Sequence, residues 1–148
     1  MVTAKHVLRY LKGTVKELSY KRSDSELKLI AYCDADWAAD QNDRQSTTGY
    51  CFSLCETGPL ISWKSKKQAT VALSTCEAEY MGLAAATQER FYLEQLLKSM
   101  YNGIDFAPVT IFEDNQGAIA LSKNSVCRQG CKHVDIKYHF IQYPICNQ

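Results

Sequence analysis

The fold is decided by the stretch Leu27-Lys28-Leu29-Ile30-Ala31-Tyr32-Cys33-Asp34, in which apolar and polar side chains alternate. Successive side chains of a strand point to opposite faces. One face therefore carries Leu27, Leu29, Ala31 and Cys33, and the other carries Lys28, Ile30, Tyr32 and Asp34. The pattern predicts a β-strand that ends on an acid.

Two further strands follow this one at short spacing. Turn-forming residues at 40–43 lead to a second strand at Gly49–Cys55, and the turn at 56–59 leads to a third at Leu60–Lys64. Gly, Pro, Asn and Asp are the residues that tight connections need. Three consecutive strands joined in this way predict an antiparallel meander.

The longest predicted helix begins at Ser74-Thr75-Cys76-Glu77, which has the form of a capping box. In this motif the serine hydroxyl and the glutamate carboxylate each accept a free amide of the first turn. We predict a helix over residues 75–101, with Gly103 just beyond its end. The side chains predicted for its core stripe are Ala78, Met81, Ala85, Tyr92 and Leu96.

The remaining elements predict a mixed α/β fold. A fourth strand is predicted at Val109–Glu113, a helix at Asn115–Ser122, and a last helix at Val134–Tyr143 before Pro144. Strand–helix–strand connections are right-handed, so the fourth strand should lie parallel to a strand of the meander. A short basic helix at Val2–Leu11 precedes this βββαβα order.

Length and composition indicate one globular domain. The chain has 148 residues, of which 46% are hydrophobic and 22% charged, with 7 Gly and 3 Pro. These values exclude collagen-like and strongly disordered classes. The formal net charge of +1 argues neither for nor against a nucleic-acid partner. The charge is unevenly distributed, since the charged residues at 1–28 are mainly basic and those at 29–63 are mainly acidic.

The sequence also bears on location and on cysteine chemistry. No apolar run approaches the ~18–20 residues of a membrane span, and no secretory signal is recognisable, which favours a cytoplasmic or nuclear protein. The 7 cysteines are then expected to be mostly reduced thiols. Cys127, Cys131 and His133 lie close together, but their spacing fits no usual zinc pattern.

Three acids occupy positions at which functional sites are commonly built. Asp34 ends the first strand, Glu79 lies in the first turns of the long helix, and Asp114 follows the fourth strand. Such positions gather at one edge of an α/β sheet. Carboxylates held together favour Mg²⁺, and two ions about 4 Å apart would form a site for phosphodiester hydrolysis. The competing interpretation is that the three acids are capping or solvated turn residues.

Six segments resemble one known domain. They read AYCDADWA at 31–38, DRQSTTGY at 43–50, ISWKSKKQ at 61–68, LSTCEAEY at 73–80, EDNQ at 113–116 and KHVDIKYHFI at 132–141. In this order they resemble the ribonuclease H domain of Ty1/copia-type retrotransposon Pol polyproteins. Residues 8–14 resemble the last helix of the reverse transcriptase that precedes that domain. We therefore predict a reverse transcriptase tail at 1–24 and a ribonuclease H-like domain at 25–148.

The resemblance implies an activity, cofactors and partners. The activity is hydrolysis of the RNA strand of an RNA–DNA hybrid with two Mg²⁺ or Mn²⁺ ions, beside a reverse transcriptase, in a cytoplasmic virus-like particle or in the nucleus. Asp34, Glu79 and Asp114 match the family's metal-binding catalytic carboxylates, and Gln116 matches a polar residue near the hybrid backbone. The implied fold is a mixed five-stranded sheet with helices on both faces.

A run of lysines can be interpreted from the residues themselves. Lys64, Lys66 and Lys67 follow Trp63 at the end of the third strand. They form either a patch that contacts phosphates or an ordinary solvated run of charge.

The C-terminus departs from the family pattern. In the family, a strand and a helix with a fourth metal-binding aspartate follow the segment that resembles residues 132–141. Here the sequence ends after seven more residues, and Asp135 is the only nearby acid. Asp135 is either a substitute ligand or an acid favoured by a helix N-terminus. We therefore expect a truncated domain that is inactive or nearly so, and the alternative function is a catalytically dead remnant that binds nucleic acid or a partner.

Overall fold

A computed structural model describes residues 2–14, 20, 27–40, 42–56, 58–101 and 108–123 of the chain. Within these residues there are three helices and four strands. In chain order they are α1 (Val2–Gly13), β1 (Ile30–Asp36), β2 (Thr47–Ser53), β3 (Leu60–Lys67), α2 (Thr75–Met100), β4 (Thr110–Phe112) and α3 (Gln116–Lys123).

The strands form one mixed sheet in the order β3-β2-β1-β4. β1 pairs antiparallel with β2, and β2 pairs antiparallel with β3. β4 joins the other edge of β1 in parallel, through residues 30–32 of β1 and 110–112 of β4. The predicted mixed α/β class, the meander and the parallel fourth strand are confirmed.

The strand boundaries differ from the predicted ones in a way that matters for Asp34. β1 begins at Ile30 and continues to Asp36, because Thr47 and Thr48 of β2 extend the antiparallel pairing past Asp34. The expectation that Asp34 ends the strand was therefore wrong with respect to β2. On the other edge of β1, the pairing with β4 stops at Tyr32, so Asp34 does lie beyond the end of that pairing.

The core lies between the sheet and α2. Leu29, Ala31 and Cys33 are buried on one face of β1, as the alternation predicted. They belong to one cluster with Phe52 of β2 and with buried side chains of α2 that include Tyr80, which is fully buried. Burial of this apolar surface is the main source of stability and fixes α2 against the strands.

The core stripe of α2 was predicted correctly in its first half only. Ala78 and Met81 are buried, but Tyr92 and Leu96 are 60% and 40% exposed. Leu93 and Leu97 are the buried residues in this half of the helix. They are four residues apart, so they lie above one another on one face of the helix, and each follows the predicted residue by one position.

The start of α2 is fixed by a cap at Ser74. Its side chain accepts the amide of Glu77 at 3.1 Å, and the Glu77 carboxylate accepts the amide of Leu73 at 2.7 Å. The carboxylate thus reaches one residue further back than a regular capping box predicts. Glu77 is engaged at the cap, which leaves Glu79 as the acid of α2 that faces the sheet edge.

Gly82 of α2 lies against the strands, and we expect Gly82→Ala to be tolerated. A Cβ there would be 3.6 Å from the Asp34 carbonyl oxygen and 3.7 Å from Thr48 Cγ2, which is ordinary van der Waals contact. Because alanine favours a helix over glycine by roughly 1 kcal/mol, urea denaturation should show unchanged or slightly higher stability. Gly82→Val should lower it by overpacking. A clearly lower midpoint for Gly82→Ala would show that the helix and the sheet leave no room for one carbon.

The face of the sheet opposite α2 carries a row of exposed aromatic side chains. Trp63, Cys51, Tyr32 and Phe112 are cross-strand neighbours in the register of the four strands. The three aromatic residues are 62%, 52% and 49% exposed, and the Tyr32 and Phe112 rings stack with centroids 5.0 Å apart. In the described part of the chain, the helix packed on the sheet is α2, on the other face.

Some predictions fall outside the described residues. They are the last helix at Val134–Tyr143, the group of Cys127, Cys131 and His133, the boundary near residue 24, and Asp135. Among the described helices, none combines the length and the apolar character that crossing a membrane would require.

Candidate metal centre

Three carboxylates from three different elements meet at one edge of the sheet. They belong to Asp34 of β1, Glu79 of α2 and Asp114, which follows β4. One oxygen from each lies within 4.8 Å of the other two. The structure therefore brings together the three acids that the sequence singled out.

Each of these acids is positioned by its local structure. Asp34 is held in the backbone ladder opposite Gly49 of β2. Glu79 lies just beyond the first turn of α2, whose start Ser74 fixes. Asp114 stands between β4 and α3, and the next residue, Asn115, caps α3 by accepting the amide of Ala118 at 3.0 Å. All three carboxylates are thus carried by ordered backbone.

Glu79 is the buried member of the group. It is only 7% exposed, and its Oε2 atom is buried without a hydrogen-bond partner among the described residues. An unsatisfied buried acceptor is unfavourable unless something supplies the missing interaction. A divalent cation that prefers oxygen ligands would do so, and the donor set of three carboxylates suits Mg²⁺ or Mn²⁺. The residues present therefore fit such an ion.

The electrostatics of Glu79 support this fit. Burial raises the pKa of its carboxyl to about 7, and the charges of Glu113 and Asp34 act in the same direction, against a hydrogen bond with the Ala35 backbone. The raised pKa means that ionisation of Glu79 beside the neighbouring carboxylates is unfavourable without a cation. Positive charge at the site would reverse this effect.

Glu113 is a residue of this region that the sequence analysis missed. Its Oε2 accepts the thiol of Cys33 at 3.0 Å, and its Oε1 accepts the amide of Asn115 at 3.1 Å. Partial burial and repulsion from Asp114 and Asp34 raise its pKa. The sequence signal available for Glu113 was the alternation of side chains along the fourth strand. In that pattern Glu113 and Asp114 point to opposite faces of the sheet.

Cys33 is buried beside Glu113, and its chemistry follows from that position. Burial, followed by the hydrogen bond to Glu113 and the charge of that carboxylate, raises the pKa of the Cys33 thiol. Among the described cysteines, Cys51 and Cys55 are likewise free thiols. Cys33 therefore acts as a neutral hydrogen-bond donor.

The predicted lysine patch is divided by the structure. The Lys67 ammonium contacts Asp40 and lies 2.6 Å from Asp43. These contacts raise the pKa of Lys67 and lower the pKa values of both carboxyls. Lys67 is therefore paired with two carboxylates, whereas its predicted contact with phosphates stays a prediction.

Lys64 and Lys66 have a different environment. They lie opposite Tyr50 and Thr48 of β2 and, together with Lys67, line a groove of about 270 Å³ between the strands and α2. Met81, two residues after Glu79, lines the same groove. Gln116, the first residue of α3, is exposed to solvent. It follows Asp114 by two residues in the sequence.

Comparison with known proteins gives consistent relatives. The chain is 42% identical over 139 residues to a retrovirus-related Pol polyprotein from transposon TNT 1-94 of Nicotiana tabacum, covering 93% of this chain and 10% of the polyprotein. It is 41% identical over 141 residues to the Pol polyprotein from transposon RE1 of Arabidopsis thaliana, covering 95% and 9%. Its homologues are Ty1/copia-type retrotransposon Pol polyproteins. The chain spans about a tenth of the length of these Pol polyproteins.

Solved structures similar to this chain are ribonuclease H domains. The N-terminal RNase H domain of Rv2228c from Mycobacterium tuberculosis superposes with a TM-score of 0.57 at 12% identity, covering 82% of this chain and 76% of that one. LC11-RNase H1, solved in complex with an RNA/DNA hybrid, gives 0.53 at 17% identity, covering 82% and 78%. No family model matches the sequence. The fold is that of ribonuclease H domains.

Proposed function

We propose that this chain is the ribonuclease H domain of a retrotransposon Pol polyprotein and hydrolyses the RNA strand of RNA–DNA hybrids. The observation that carries the proposal is the convergence of Asp34, Glu79 and Asp114 within 4.8 Å. The ribonuclease H fold and the polyprotein relatives support the same function. In the parent polyprotein the domain would work beside a reverse transcriptase.

The three carboxylates would hold two Mg²⁺ or Mn²⁺ ions. Such ions, when bound, activate the attacking water and stabilise the leaving 3′ oxygen of the phosphodiester. Asp34 and Asp114 are exposed, so they would be the carboxylates accessible to an approaching phosphate. Glu79 is buried behind them and contributes a carboxylate that is shielded from water.

Hybrid binding would use the groove beside α2 and the start of α3. Lys64 and Lys66 supply positive charge there, and Gln116 supplies a polar side chain next to Asp114 in sequence. Contacts with phosphates and 2′-hydroxyls position a hybrid without reading its bases. This favours recognition of the hybrid form over recognition of a particular sequence.

The lysines give a measurable prediction. Lys64→Ala and Lys66→Ala should each weaken hybrid binding and reduce the slope of log K against log salt by about one, because each removes a phosphate contact. Lys67→Ala is the matched control and should change the slope little, since Asp40 and Asp43 already neutralise that ammonium. Fluorescence anisotropy with a labelled hybrid over a salt series measures all three. An equal slope change for Lys67→Ala would contradict the division of the patch.

The function itself is tested by cleavage of a hybrid labelled on its RNA strand. The assay is run with Mg²⁺, with Mn²⁺ and with a chelator, on the 148-residue chain and on the same chain extended by the strand and helix that the resemblance implies. We expect metal-dependent cleavage by the extended chain and weaker cleavage by the 148-residue chain, because a site with fewer carboxylates holds Mg²⁺ less tightly. Metal-independent cleavage would refute the proposed mechanism. Absence of cleavage by both chains would refute the proposed activity and favour the alternative of a catalytically inactive remnant.

A further inference from the structure

The parallel pairing of β1 and β4 stops before it reaches two of the three carboxylates. The last pair is Tyr32 with Phe112, and Asp34 and Asp114 are each the second residue beyond it. The backbone ladder between these strands therefore does not fix the separation of the two side chains. Two like charges that repel each other need another restraint to remain this close.

Glu113 makes hydrogen bonds on both sides of this gap. Its Oε2 accepts the thiol of Cys33, the residue before Asp34, at 3.0 Å. Its Oε1 accepts the amide of Asn115, the residue after Asp114, at 3.1 Å. Cys33 and Glu113 are the first residues beyond the ladder on their strands, so this side-chain bond continues the strand contact where backbone pairing ends.

The same contacts extend to the helix that carries Glu79. Asn115 caps α3, and a Cβ at Gly117 in its first turn would lie 3.0 Å from Cys76 Sγ in the first turn of α2. The start of α3 therefore lies directly against the start of α2. A continuous set of contacts links Cys33, Glu113 and Asn115 to the elements that carry all three acids.

We propose that Glu113 is a positioning residue of the metal centre, whose hydrogen bonds to Cys33 and Asn115 hold Asp34 and Asp114 at the separation that a divalent cation requires. This inference rests on the proposed function, because it assigns Glu113 a role toward the same ions. Glu113 is not among the three converging acids and acts through its neighbours. Residues that orient metal ligands in this way typically change metal affinity by 10–100-fold when they are replaced.

The experiment titrates Mn²⁺ into the 148-residue chain and measures the Kd by calorimetry. Glu113→Gln should bind Mn²⁺ at least about 10-fold more weakly than the original chain. Because this change also removes a charge, Cys33→Ala is measured beside it, since it removes the contacts of the neutral thiol with Glu113 and with the Phe112 carbonyl oxygen without removing a charge. Cys33→Ala should weaken binding in the same direction, and Cys33→Ser, which keeps a donor, should restore most of the affinity.

Glu89→Gln is the matched control. Glu89 also bridges two elements, accepting the hydroxyls of Tyr50 at 3.2 Å and Ser62 at 2.7 Å. It lies ten residues after Glu79, about 15 Å further along α2. Its replacement should lower the melting temperature without changing the Kd for Mn²⁺. Equal losses of affinity in Glu89→Gln and Glu113→Gln would overturn the inference, as would an unchanged Kd in both Glu113→Gln and Cys33→Ala.

A second readout separates this inference from the proposed function. Hydrogen exchange in the metal-free chain reports the Asn115 amide directly, and Glu113→Ala, which removes both acceptor oxygens, should accelerate its exchange. If the original chain fails to bind Mn²⁺, the proposed metal centre fails. Faster exchange at Asn115 in Glu113→Ala would still support the restraint, and unchanged exchange in that variant would refute it.

Discussion

In the chain extended by the strand and helix that the resemblance implies, Asp114→Asn is expected to reduce metal-dependent cleavage of an RNA–DNA hybrid by more than about 100-fold. The substitution removes one of three converging carboxylates with almost no change in volume. Replacing a residue that merely orients a metal ligand changes affinity by roughly 10–100-fold, so loss of a ligand should exceed that range. Cleavage rates at saturating hybrid, over a series of Mg²⁺ concentrations, provide the measurement.

The fold should survive this substitution. Asp114 is exposed and its charge repels Glu79 and Glu113, so the metal-free Asn variant should melt at the same temperature or slightly higher. Asp36→Asn is the matched control, because Asp36 is an exposed acid of the same strand as Asp34 but is outside the converging group. It should retain most of the activity. Undiminished cleavage by Asp114→Asn would show that the site has been misplaced.

The largest expected effect on stability is that of Phe52→Ala. Phe52 is fully buried on β2, where its ring meets that of Tyr50 edge-to-face with centroids 5.8 Å apart. Truncating a buried phenylalanine leaves a cavity and costs about 3–5 kcal/mol. Since a domain of this size is stable by only about 5–15 kcal/mol, urea denaturation should show a marginal fold.

Phe112→Ala is the control for Phe52→Ala. Phe112 is also a strand phenylalanine with an aromatic neighbour, but it is 49% exposed. Its loss should cost roughly 0.5–1.5 kcal/mol, the magnitude of an aromatic pair without a core cavity. Similar losses in the two variants would mean that the exposed aromatic row contributes to the core as much as Phe52 does.

Much of the fold could be predicted because its signals are local. Alternation at Leu29, Ala31 and Cys33 gave the buried face of the first strand, and Ser74 gave the start of the long helix. The positions of Asp34 and Asp114 near parallel strand ends then predicted that they would meet. The predictions that failed depend on contacts between residues far apart in sequence. The point at which β2 stops pairing with β1 decides the end of β1, and the packing of α2 on the strands decides which of its residues are buried.

The same distinction explains what was missed at the site. Glu113 and Asp114 are adjacent acids, and nothing in the sequence states that one of them bonds to Cys33, 80 residues away. The pairing of Lys67 with Asp40 and Asp43 also joins residues 27 and 24 positions apart, with β2 and most of β3 between them. Side-chain partners of this kind depend on the register of strands, which propensity and spacing do not determine.

The short pairing between β1 and β4 has a consequence for the order in which the chain acquires its structure. The meander from β1 to β3 closes short loops, whereas β4 must return across the whole of α2 to reach β1. Longer loops carry a greater entropic penalty and form later. We therefore expect the carboxylates of Asp34 and Asp114 to come together late in folding, so that a chain in which β4 has not yet paired with β1 has no assembled group of carboxylates.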